Sequence, residues 1–322
     1  ALTLSSFGMT NRKTPTPSMI FLAVALLSGW ASPARAVART PVEGPADFGV
    51  LVMAHGGTPE WDKEVLAAVE PLKSRYKVEV AFGMADPATI QDATAKLEAQ
   101  GVKRIGVVRL FISGESWLER TEQILGLRAG APPRPAPTAQ SPHAGHGDHH
   151  SMDLWRIDTR ASFALTTQGL NQAEGMGAIL ADRARALSRN PGTEDVLILA
   201  HGPGDDAENA RWIATIDARA EAVRKSQPFR RVEVMTLRED WPDKRPEAER
   251  RVRAFLERAK AEGGAAIVLP FRLQGFGPYA EVLQGLEYVS DGHGLLPHKN
   301  VTLWIEGQIQ GLEPGPFRAP VK

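Results

Sequence analysis

The chain of 322 residues contains no cysteine, and this absence removes several classes of chemistry at once. Disulfides, iron–sulfur clusters, thiolate zinc sites and thiol catalysis all need a sulfur atom that the sequence does not supply. Any metal ion must therefore be held by histidine, aspartate, glutamate or backbone oxygen.

The chain also lacks an excess of either charge and lacks the common nucleotide motifs. Lys+Arg and Asp+Glu both total 38, which argues against a nucleic-acid partner, because such proteins usually carry a basic excess. The sequence has no G-x-x-x-x-G-K-[ST] phosphate loop, no G-x-G-x-x-G after a strand and no G-x-S-x-G nucleophile elbow. We therefore expect no nucleotide cofactor, no nicotinamide chemistry and no serine hydrolysis.

The N-terminal segment has the three parts of a secretory signal peptide. Arg12 and Lys13 are followed by an apolar run at residues 19–27 and by Ala34-Arg35-Ala36, which fits a small-x-small cleavage site. The alternative is an uncleaved membrane anchor, but the run is shorter than the roughly 20 residues that a spanning helix needs. We expect residues 1–36 to be removed, leaving an exported, periplasmic protein without a membrane span.

The remainder alternates between apolar strands and helical segments, and the order repeats. Strands are predicted at residues 48–54, 77–82, 104–111, 163–165, 196–200, 231–235 and 265–271. The motif VLVMA-His-Gly at 50–56 returns as VLILA-His-Gly at 196–202, and KVEV at 77–80 returns as RVEV at 231–234. This pattern predicts an α/β fold of two tandem similar halves, each a mostly parallel sheet with helices on both faces.

The expected halves span residues 46–190 and 194–312, with a tail at 313–322. A segment at 129–152, rich in Ala, Gly, Pro and His, is predicted to be a flexible linker or surface loop within the first half. Helices are predicted at 59–74, 87–100 and 117–127, and a last helix is expected to begin with Asn300 as its N-cap.

His55 and His201 follow the first strands of the two halves. Ligands bind at the carboxyl edge of open α/β sheets, and the flanking glycines allow a tight turn there. An imidazole at this edge can ligate a metal or transfer a proton at neutral pH. A capping or core histidine is the alternative, but two histidines at equivalent repeat positions favour a functional site.

Glu115 follows the third strand, and we expect it near His55, since neighbouring strand ends meet at one edge. It suits metal ligation or proton acceptance. The alternative is an acidic residue placed at a helix N-terminus because the helix dipole favours it. The equivalent stretch of the second half has Gly275 and Gly277 and offers no ligand.

Four further histidines, His143, His146, His149 and His150, lie close together in the linker. Such a tract binds divalent metal loosely, and we expect these residues to form an auxiliary metal site that is not needed for folding. The alternative is a solvated loop without function.

The sequence resembles the class II tetrapyrrole chelatases, of the sirohydrochlorin cobaltochelatase and ferrochelatase type in its long two-repeat form. The matching stretches are VLVMAHGG at 50–57 followed by EWD at 60–62, VEVAF at 78–82 followed by ADP at 85–87, and QGVKRIGVVRLF at 100–111. The resemblance covers most of residues 48–310.

This resemblance implies ATP-independent insertion of a divalent metal into a metal-free tetrapyrrole. It places the first active-site histidine at His55 and its duplicate at His201. The family typically has a second histidine after the third strand, where this chain has Glu115. With Glu115 added from its position after the third strand, we expect His55 and Glu115 as catalytic residues and His55, Glu115 and His201 as metal ligands.

Two functions remain open from the sequence. The first is an exported chelatase with a tetrapyrrole partner, for which Co²⁺ is the expected metal substrate and Fe²⁺, Ni²⁺ and Zn²⁺ are alternatives. The second is a non-catalytic periplasmic protein that binds metal or tetrapyrrole on the same fold. A homo-oligomer is compatible with both.

Overall fold

The computed structural model describes residues 45–136 and 153–321. The predicted signal peptide at 1–36 and the linker histidines His143, His146, His149 and His150 lie outside the described residues. Among the residues that are described, no helix is both long enough and apolar enough to cross a bilayer.

Strands and helices alternate along the described chain. The strands are β1 (Phe48–Ala54), β2 (Lys77–Phe82), β3 (Arg104–Leu110), β4 (Ser162–Leu165), β5 (Glu194–Ala200), β6 (Arg231–Thr236) and β7 (Ala265–Phe271). The α-helices are α1 (Pro59–Val69), α2 (Pro87–Ala99), α3 (Leu118–Ile124), α4 (Glu174–Leu187), α5 (Asp206–Ser226), α6 (Arg245–Ala261), α7 (Tyr279–Val282) and α8 (Lys299–Leu312). Short 3₁₀ helices occur at Glu70–Ser74, Leu170–Gln172 and Pro191–Thr193.

The strands form two parallel sheets with the same central arrangement. The order is β2-β1-β3-β4 in the first sheet and β6-β5-β7 in the second. Every residue of β1 and of β5 is buried, as expected for a central strand that is covered on both faces. The predicted fold class, an α/β fold of two similar halves, is confirmed, whereas the domain boundaries stay a prediction.

The strand registers bring the carboxyl ends of neighbouring strands to one edge in each sheet. Ala54 pairs with Phe82 of β2 and with Leu110 of β3. Ala200 pairs with Thr236 of β6 and with Phe271 of β7. Paired strands end at the same position along the sheet, so the loops that follow them begin next to one another. The residues that follow each strand therefore lie close together at one edge.

A shared hydrophobic core joins the two halves. It contains Val50 and Val52 from β1, Val196 and Ile198 from β5, and apolar residues of α1, α4, α5 and α8. Separate clusters bury the opposite faces of the two sheets, beneath α2 and α3 in the first half and beneath α6 and α7 in the second. Helices therefore cover both faces of each sheet.

The C-terminal part of the chain packs against the first half. Thr302 of α8 donates a hydrogen bond to the carbonyl oxygen of Ala68 at 2.8 Å. Beyond α8, Phe163 of β4 and Arg318 exchange two backbone hydrogen bonds of 2.8 Å. Helix α8 and the segment that follows it thus pack against the first half, which contains the sheet β2-β1-β3-β4.

Several helix ends differ from the sequence-based prediction for local reasons. The helix expected at 59–74 changes at Val69 to a 3₁₀ helix that contains Pro71, which has no N–H to donate. The helix expected at 117–127 begins at Leu118, because Trp117 has a left-handed φ of 59°, and it ends at Ile124, shortly before Gly126 with a φ of 70°.

The expected N-cap Asn300 is wrong. His298 caps α8 instead, its Nδ1 accepting from the Asn300 N–H at 3.1 Å. Once the imidazole satisfies that free backbone donor, the helix can begin at Lys299. The Asn300 side chain, now inside the helix, donates to the carbonyl oxygen of Gly175 at 2.9 Å.

Candidate functional site

The loops at the carboxyl edges of both sheets line one cavity of about 590 Å³. This volume lies in the usual range for small-molecule sites, roughly 300–1,000 Å³. We call its lining residues between 55 and 117 the first wall and those between 201 and 273 the second wall. His55 and His201 lie on the two walls of this cavity, so the structure brings together the two histidines that the sequence singled out.

Both histidines are held in the same way. His55 Nδ1 lies 2.8 Å from the carbonyl oxygen of Gly56, and His201 Nδ1 lies 2.8 Å from that of Gly202. The two glycines have φ angles of 73° and 78°, which turn their carbonyls back towards the rings and which only glycine adopts without strain. A neutral imidazole that donates from Nδ1 keeps its lone pair on Nε2, the form that binds metal.

The second wall contains a carboxylate that the sequence analysis missed. Asp240 Oδ2 lies 2.9 Å from His201 Nε2, and the Asp240 side chain is 73% exposed. The sequence analysis looked for a ligand only in the stretch of Gly275 and Gly277 after β7, whereas Asp240 follows β6, which also ends beside β5.

Glu115 lines the same cavity as His55, but its carboxylate is engaged elsewhere. Arg211 of α5 donates to it from Nε at 3.1 Å and from Nη2 at 2.8 Å. These hydrogen bonds lower the pKa of Glu115 below its ordinary value. Sequence reasoning did not find Arg211, which stands 96 residues away along the chain. The role of Glu115 as ligand or proton acceptor stays a prediction.

Four tryptophans give the cavity flat apolar surfaces. Trp61 and Trp117 belong to the first wall, and Trp212 and Trp241 to the second. The Trp61 ring stacks near His55 with an interplanar angle of 24°, whereas Trp241 meets His201 edge to face at 88°. Such surfaces suit a planar aromatic ligand, because stacking adds to the burial of apolar area.

A buried arginine, Arg109, and a partly buried one, Arg272, fix the loops after β3 and β7. Arg109 donates to the carbonyl oxygens of Gly114 and Thr166, both at 3.0 Å, and desolvation lowers its pKa to about 10. In the second half Arg272 donates instead to the Glu239 carboxylate at 2.5 Å and lies over the ring of Tyr279. Arginine hydrogen bonds thus hold the loops that carry the cavity residues, and these bonds are buried in the first half and partly buried in the second.

The strained backbone positions of the described chain lie in the same region. Its non-glycine residues with positive φ are Ala85, Trp117 and Arg238, and each lies in a loop that follows a strand at the cavity edge. Such a conformation costs on the order of 1–3 kcal/mol and persists only where the surroundings enforce it. These loops are therefore preorganised rather than loosely connecting segments.

The charges on the cavity lining are mostly negative. Among the described residues, the lining includes Glu115, Asp205, Glu208 and Asp240, against one cation, Arg272, which is already paired with Glu239. Within residues 45–136 and 153–321 no group of three or more histidine or carboxylate side chains is close enough to hold a metal ion. Among the lining residues that are described, the contact between two such side chains that the structure shows is that of His201 with Asp240.

A family model named CbiX matches residues 49–117. The structure of SirB from Bacillus subtilis with Fe3+ is similar to this chain with a TM-score of 0.54 and 15% identity, covering 82% of this chain and 94% of that one. The sirohydrochlorin chelatase SirB from Bacillus subtilis subspecies spizizenii in complex with cobalt gives 0.54 and 14%, covering 84% and 99%. No curated protein matches the sequence.

At these identities the structural similarity establishes a shared fold. Together with the family model, it confirms the resemblance to the class II tetrapyrrole chelatases that the sequence indicated. The family model covers the first half through Trp117, and so includes His55 and Glu115. The second wall lies outside that match.

Proposed function

We propose that this protein is an exported chelatase that, without ATP, inserts a divalent metal ion into a sirohydrochlorin-like tetrapyrrole. The metal substrate is cobalt, iron or nickel, with Co²⁺ as our first expectation. The observation that carries the proposal is the cavity itself, in which two identically anchored histidines face a space lined by four tryptophans. The resemblance to SirB proteins with bound iron and cobalt supports it.

Metal insertion requires that the ring lose two pyrrole N–H protons while the metal gives up its previous ligands. In the proposed reaction the macrocycle lies against the tryptophans, which orient it by stacking and exclude water from one face. An imidazole presents the ion weakly through Nε2, so the ring nitrogens can take it over. The released protons pass to a nearby imidazole or carboxylate, in this chain His55 or Glu115.

The negative lining restricts how such a ligand can enter. Carboxylate substituents on the macrocycle would meet the side chains of Glu115, Asp205 and Glu208 if they turned inwards. We therefore propose that the ring core enters the cavity while the acidic substituents remain in solvent, where water screens their charge.

The direct test mixes the mature protein with Co²⁺ and sirohydrochlorin and follows the loss of the metal-free absorption spectrum. Insertion should be faster than in a control without protein, and His55→Ala should abolish most of the acceleration. His293→Ala is the matched control, because this exposed histidine lies outside the cavity lining. A rate equal to that of the protein-free control would contradict the chelatase proposal.

A non-catalytic metal- or tetrapyrrole-binding protein is the second candidate. The observation in its favour is the Arg211–Glu115 ion pair, which occupies the carboxylate that would accept protons on the first wall. This candidate predicts that metal-free tetrapyrrole binds with a shifted spectrum and that no metal enters the ring over the same period.

Export is a separate part of the proposal and rests on the N-terminal sequence alone. Cleavage after Ala36 should leave a periplasmic form that starts at Val37, as measured by intact mass. Recovery of the protein in the membrane fraction with residues 19–30 still attached would contradict export by a cleaved signal peptide.

A further inference from the structure

A second cavity, of about 280 Å³, lies between the N-terminal parts of α5 and α6 and the end of β6, and we call it the α5–α6 cavity. It shares no described lining residue with the cavity that holds the two histidines. Helix α5 contributes Asp206, Asn209 and Ile213 to it, each one position after a residue that lines the first cavity. The two cavities therefore lie on neighbouring faces of one helix. The volume of the second is close to the lower limit of small-molecule sites, roughly 300 Å³, and so fits a small metabolite.

Arg238 is the buried cation of the α5–α6 cavity. Only 8% of the residue is exposed, and its Nη2 donates to the carbonyl oxygen of Gly204 and lies 2.9 Å from Asp206 Oδ1. Its Nε is buried and has no hydrogen-bond partner among the described residues. A buried N–H without an acceptor costs free energy, and a negative charge placed in the cavity near the guanidinium offsets part of that cost. Arg238 therefore favours an anionic ligand.

Two more side chains on the lining have donors without an acceptor within residues 45–136 and 153–321. Thr236 donates its hydroxyl to Asn209 Oδ1 at 2.7 Å, which leaves the N–H groups of Asn209 Nδ2 for another partner. Arg251 of α6 makes no ion pair or hydrogen bond through its side chain in the same ranges. Amide and guanidinium groups both donate to carboxylates, and the planar guanidinium can donate two parallel hydrogen bonds to one carboxylate.

The acidic residues of the lining limit the ligand to a single negative charge. Asp206 is already paired with Arg238 at 2.9 Å and with Lys244 at 2.8 Å. Asp243 and Glu247 are exposed and also line the cavity, so they would repel a ligand with two or three negative charges. One carboxylate near the arginines, on a molecule that is otherwise uncharged, satisfies the donors at the lowest electrostatic cost.

Apolar side chains supply another part of the lining. Ile213 of α5, Met235 of β6 and Ala248 of α6 all contribute to it. A short hydrocarbon chain on the ligand would bury apolar area against them, which is favourable in water. Methionine is flexible and adapts to neighbours of different shape, so the chain need not have one exact form.

The polar character of this region belongs to the second half and not to the repeated fold. Thr236 ends β6 and pairs with Ala200, whereas the equivalent residue of the first half, Phe82, ends β2 and pairs with Ala54. The smaller threonine leaves room for the Asn209 amide, whose Oδ1 lies 2.9 Å from a Cβ built on Gly202. The family model ends at residue 117 and so includes none of these second-half residues.

We infer that the α5–α6 cavity binds a small monocarboxylic acid with a short hydrocarbon chain. The carboxylate accepts hydrogen bonds from Arg251 and Asn209 and lies in the positive potential of Arg238. The hydrocarbon chain packs against the apolar part of the lining. This site is separate from the cavity of the two histidines, and the inference does not depend on the chelatase proposal.

The test is an NMR titration of the mature ¹⁵N-labelled protein with sodium pentanoate, without metal or tetrapyrrole. The Nε–H signal of Arg238 should shift and saturate as pentanoate binds. Pentanamide, which has the same chain and no charge, should bind at least roughly tenfold more weakly, because it cannot form charge-assisted hydrogen bonds. Inorganic phosphate, which has the charge and no chain, should also bind at least roughly tenfold more weakly, because it buries no apolar area.

Two variants locate the binding. Arg251→Gln should weaken pentanoate binding by roughly tenfold, since it removes a charged donor from the lining. Its matched control is Arg258→Gln, which removes the same charge from an exposed position further along α6, outside the lining, and should change the affinity by less than about twofold. Ala248→Leu adds three carbon atoms inside the cavity and should prevent binding, while the thermal unfolding midpoint shows that the variant is folded.

Three results would overturn the inference. The first is a titration in which the Arg238 signal does not saturate. The second is binding of pentanamide or phosphate as tight as that of pentanoate, which would mean that the cavity does not recognise a carboxylate on a hydrocarbon chain. The third is an equal loss of affinity in Arg251→Gln and Arg258→Gln, which would assign the effect to net charge and not to the cavity.

Discussion

On the first wall of the cavity His55 stacks with Trp61, and the carboxylate of Glu115 on the same wall is bound by Arg211. On the second wall His201 meets the edge of Trp241 and contacts the exposed carboxylate of Asp240. The backbone anchors of the two histidines are the same, so the difference comes from the loops around them. The equivalent strands position each histidine at the edge of its sheet, and the surrounding loops determine which charged side chains lie near it.

The comparison extends to the space around the anchoring glycines. A Cβ atom on Gly202 would lie 2.5 Å from Thr236 Cβ, whereas one on Gly56 would lie 3.0 Å from Phe82 Cβ. The second wall is thus the more tightly packed at its histidine turn, which makes it the more sensitive to added volume.

The largest effect that we expect is a loss of folding stability when each anchoring glycine is replaced by alanine, because the two turns differ in packing. Both Gly56→Ala and Gly202→Ala force alanine into a left-handed conformation, at about 1–2 kcal/mol. Gly202→Ala adds overpacking against Thr236, for a further cost of about 1–3 kcal/mol. Urea unfolding should show that Gly202→Ala is the less stable of the two variants. Equal losses of unfolding free energy would mean that the two turns are equally packed.

A second prediction tests whether His55 and His201, on the two walls, bind the same metal ion during insertion. Removing a metal ligand should slow Co²⁺ insertion by roughly 100-fold in His55→Ala and roughly tenfold in His201→Ala. Because we place both histidines on the path of the same ion, the double variant should be about as slow as His55→Ala alone. Initial rates with sirohydrochlorin measure this. Multiplication of the two losses would instead show that the walls act independently.

A third prediction concerns the tryptophan that stacks with the first-wall histidine. Trp61→Leu should weaken binding of the metal-free tetrapyrrole by roughly tenfold, because the ring loses a stacking partner and its apolar contact. The control is Trp304→Leu, in α8 and outside the cavity lining. Fluorescence titration measures both affinities. If the two variants bind alike, Trp61 does not touch the macrocycle.

The smallest effect on stability should come from Arg211→Gln. This substitution removes the ion pair of Glu115, so the first wall, like the second, would have an exposed carboxylate without an arginine partner. Arg211 lowers the pKa of Glu115, so the pair stabilises the fold above the ordinary value of 4.5. This contribution should disappear as the pH falls through the lowered pKa. The variant should therefore be slightly less stable than the wild type at neutral pH and equal to it in acid, by denaturant unfolding.

The same variant should raise the pKa of Glu115 in a carboxyl NMR titration and strengthen Co²⁺ binding at the first wall by a few-fold. Arg250→Gln, which removes an exposed arginine paired with Glu247 on α6, serves as its control. If Arg250→Gln has the same effect on Co²⁺ binding, net charge rather than the release of Glu115 explains the change.

Much of the fold could be predicted from local patterns. The continuous apolar runs of β1 and β5 indicated central strands, because only a strand buried on both faces can be apolar throughout. The end of α1 was less predictable, since Pro71 converts the last turn to a 3₁₀ helix. The N-cap of α8 was missed because a histidine ring, rather than the more usual Asn300, accepts from the free backbone donor.

The candidate site could be predicted only in part. His55 and His201 stood out because each follows an apolar strand and precedes a glycine. Asp240 and Arg211 did not, since neither belongs to a repeated motif. Their partners are 39 and 96 residues away in sequence, and such distant pairs follow from how loops and helices pack.

By itself the sequence determined two parallel sheets and a histidine at the carboxyl edge of each, because strand patterning and the following glycine are local properties. Only the tertiary structure decided that both histidines share one cavity, that Glu115 is bound by Arg211 and that Asp240 stands beside His201. These pairings depend on the distances between side chains from separate loops and helices. Hydrogen bonds need donor and acceptor within roughly 3 Å of each other, and sequence periodicity does not specify such distances between separate loops.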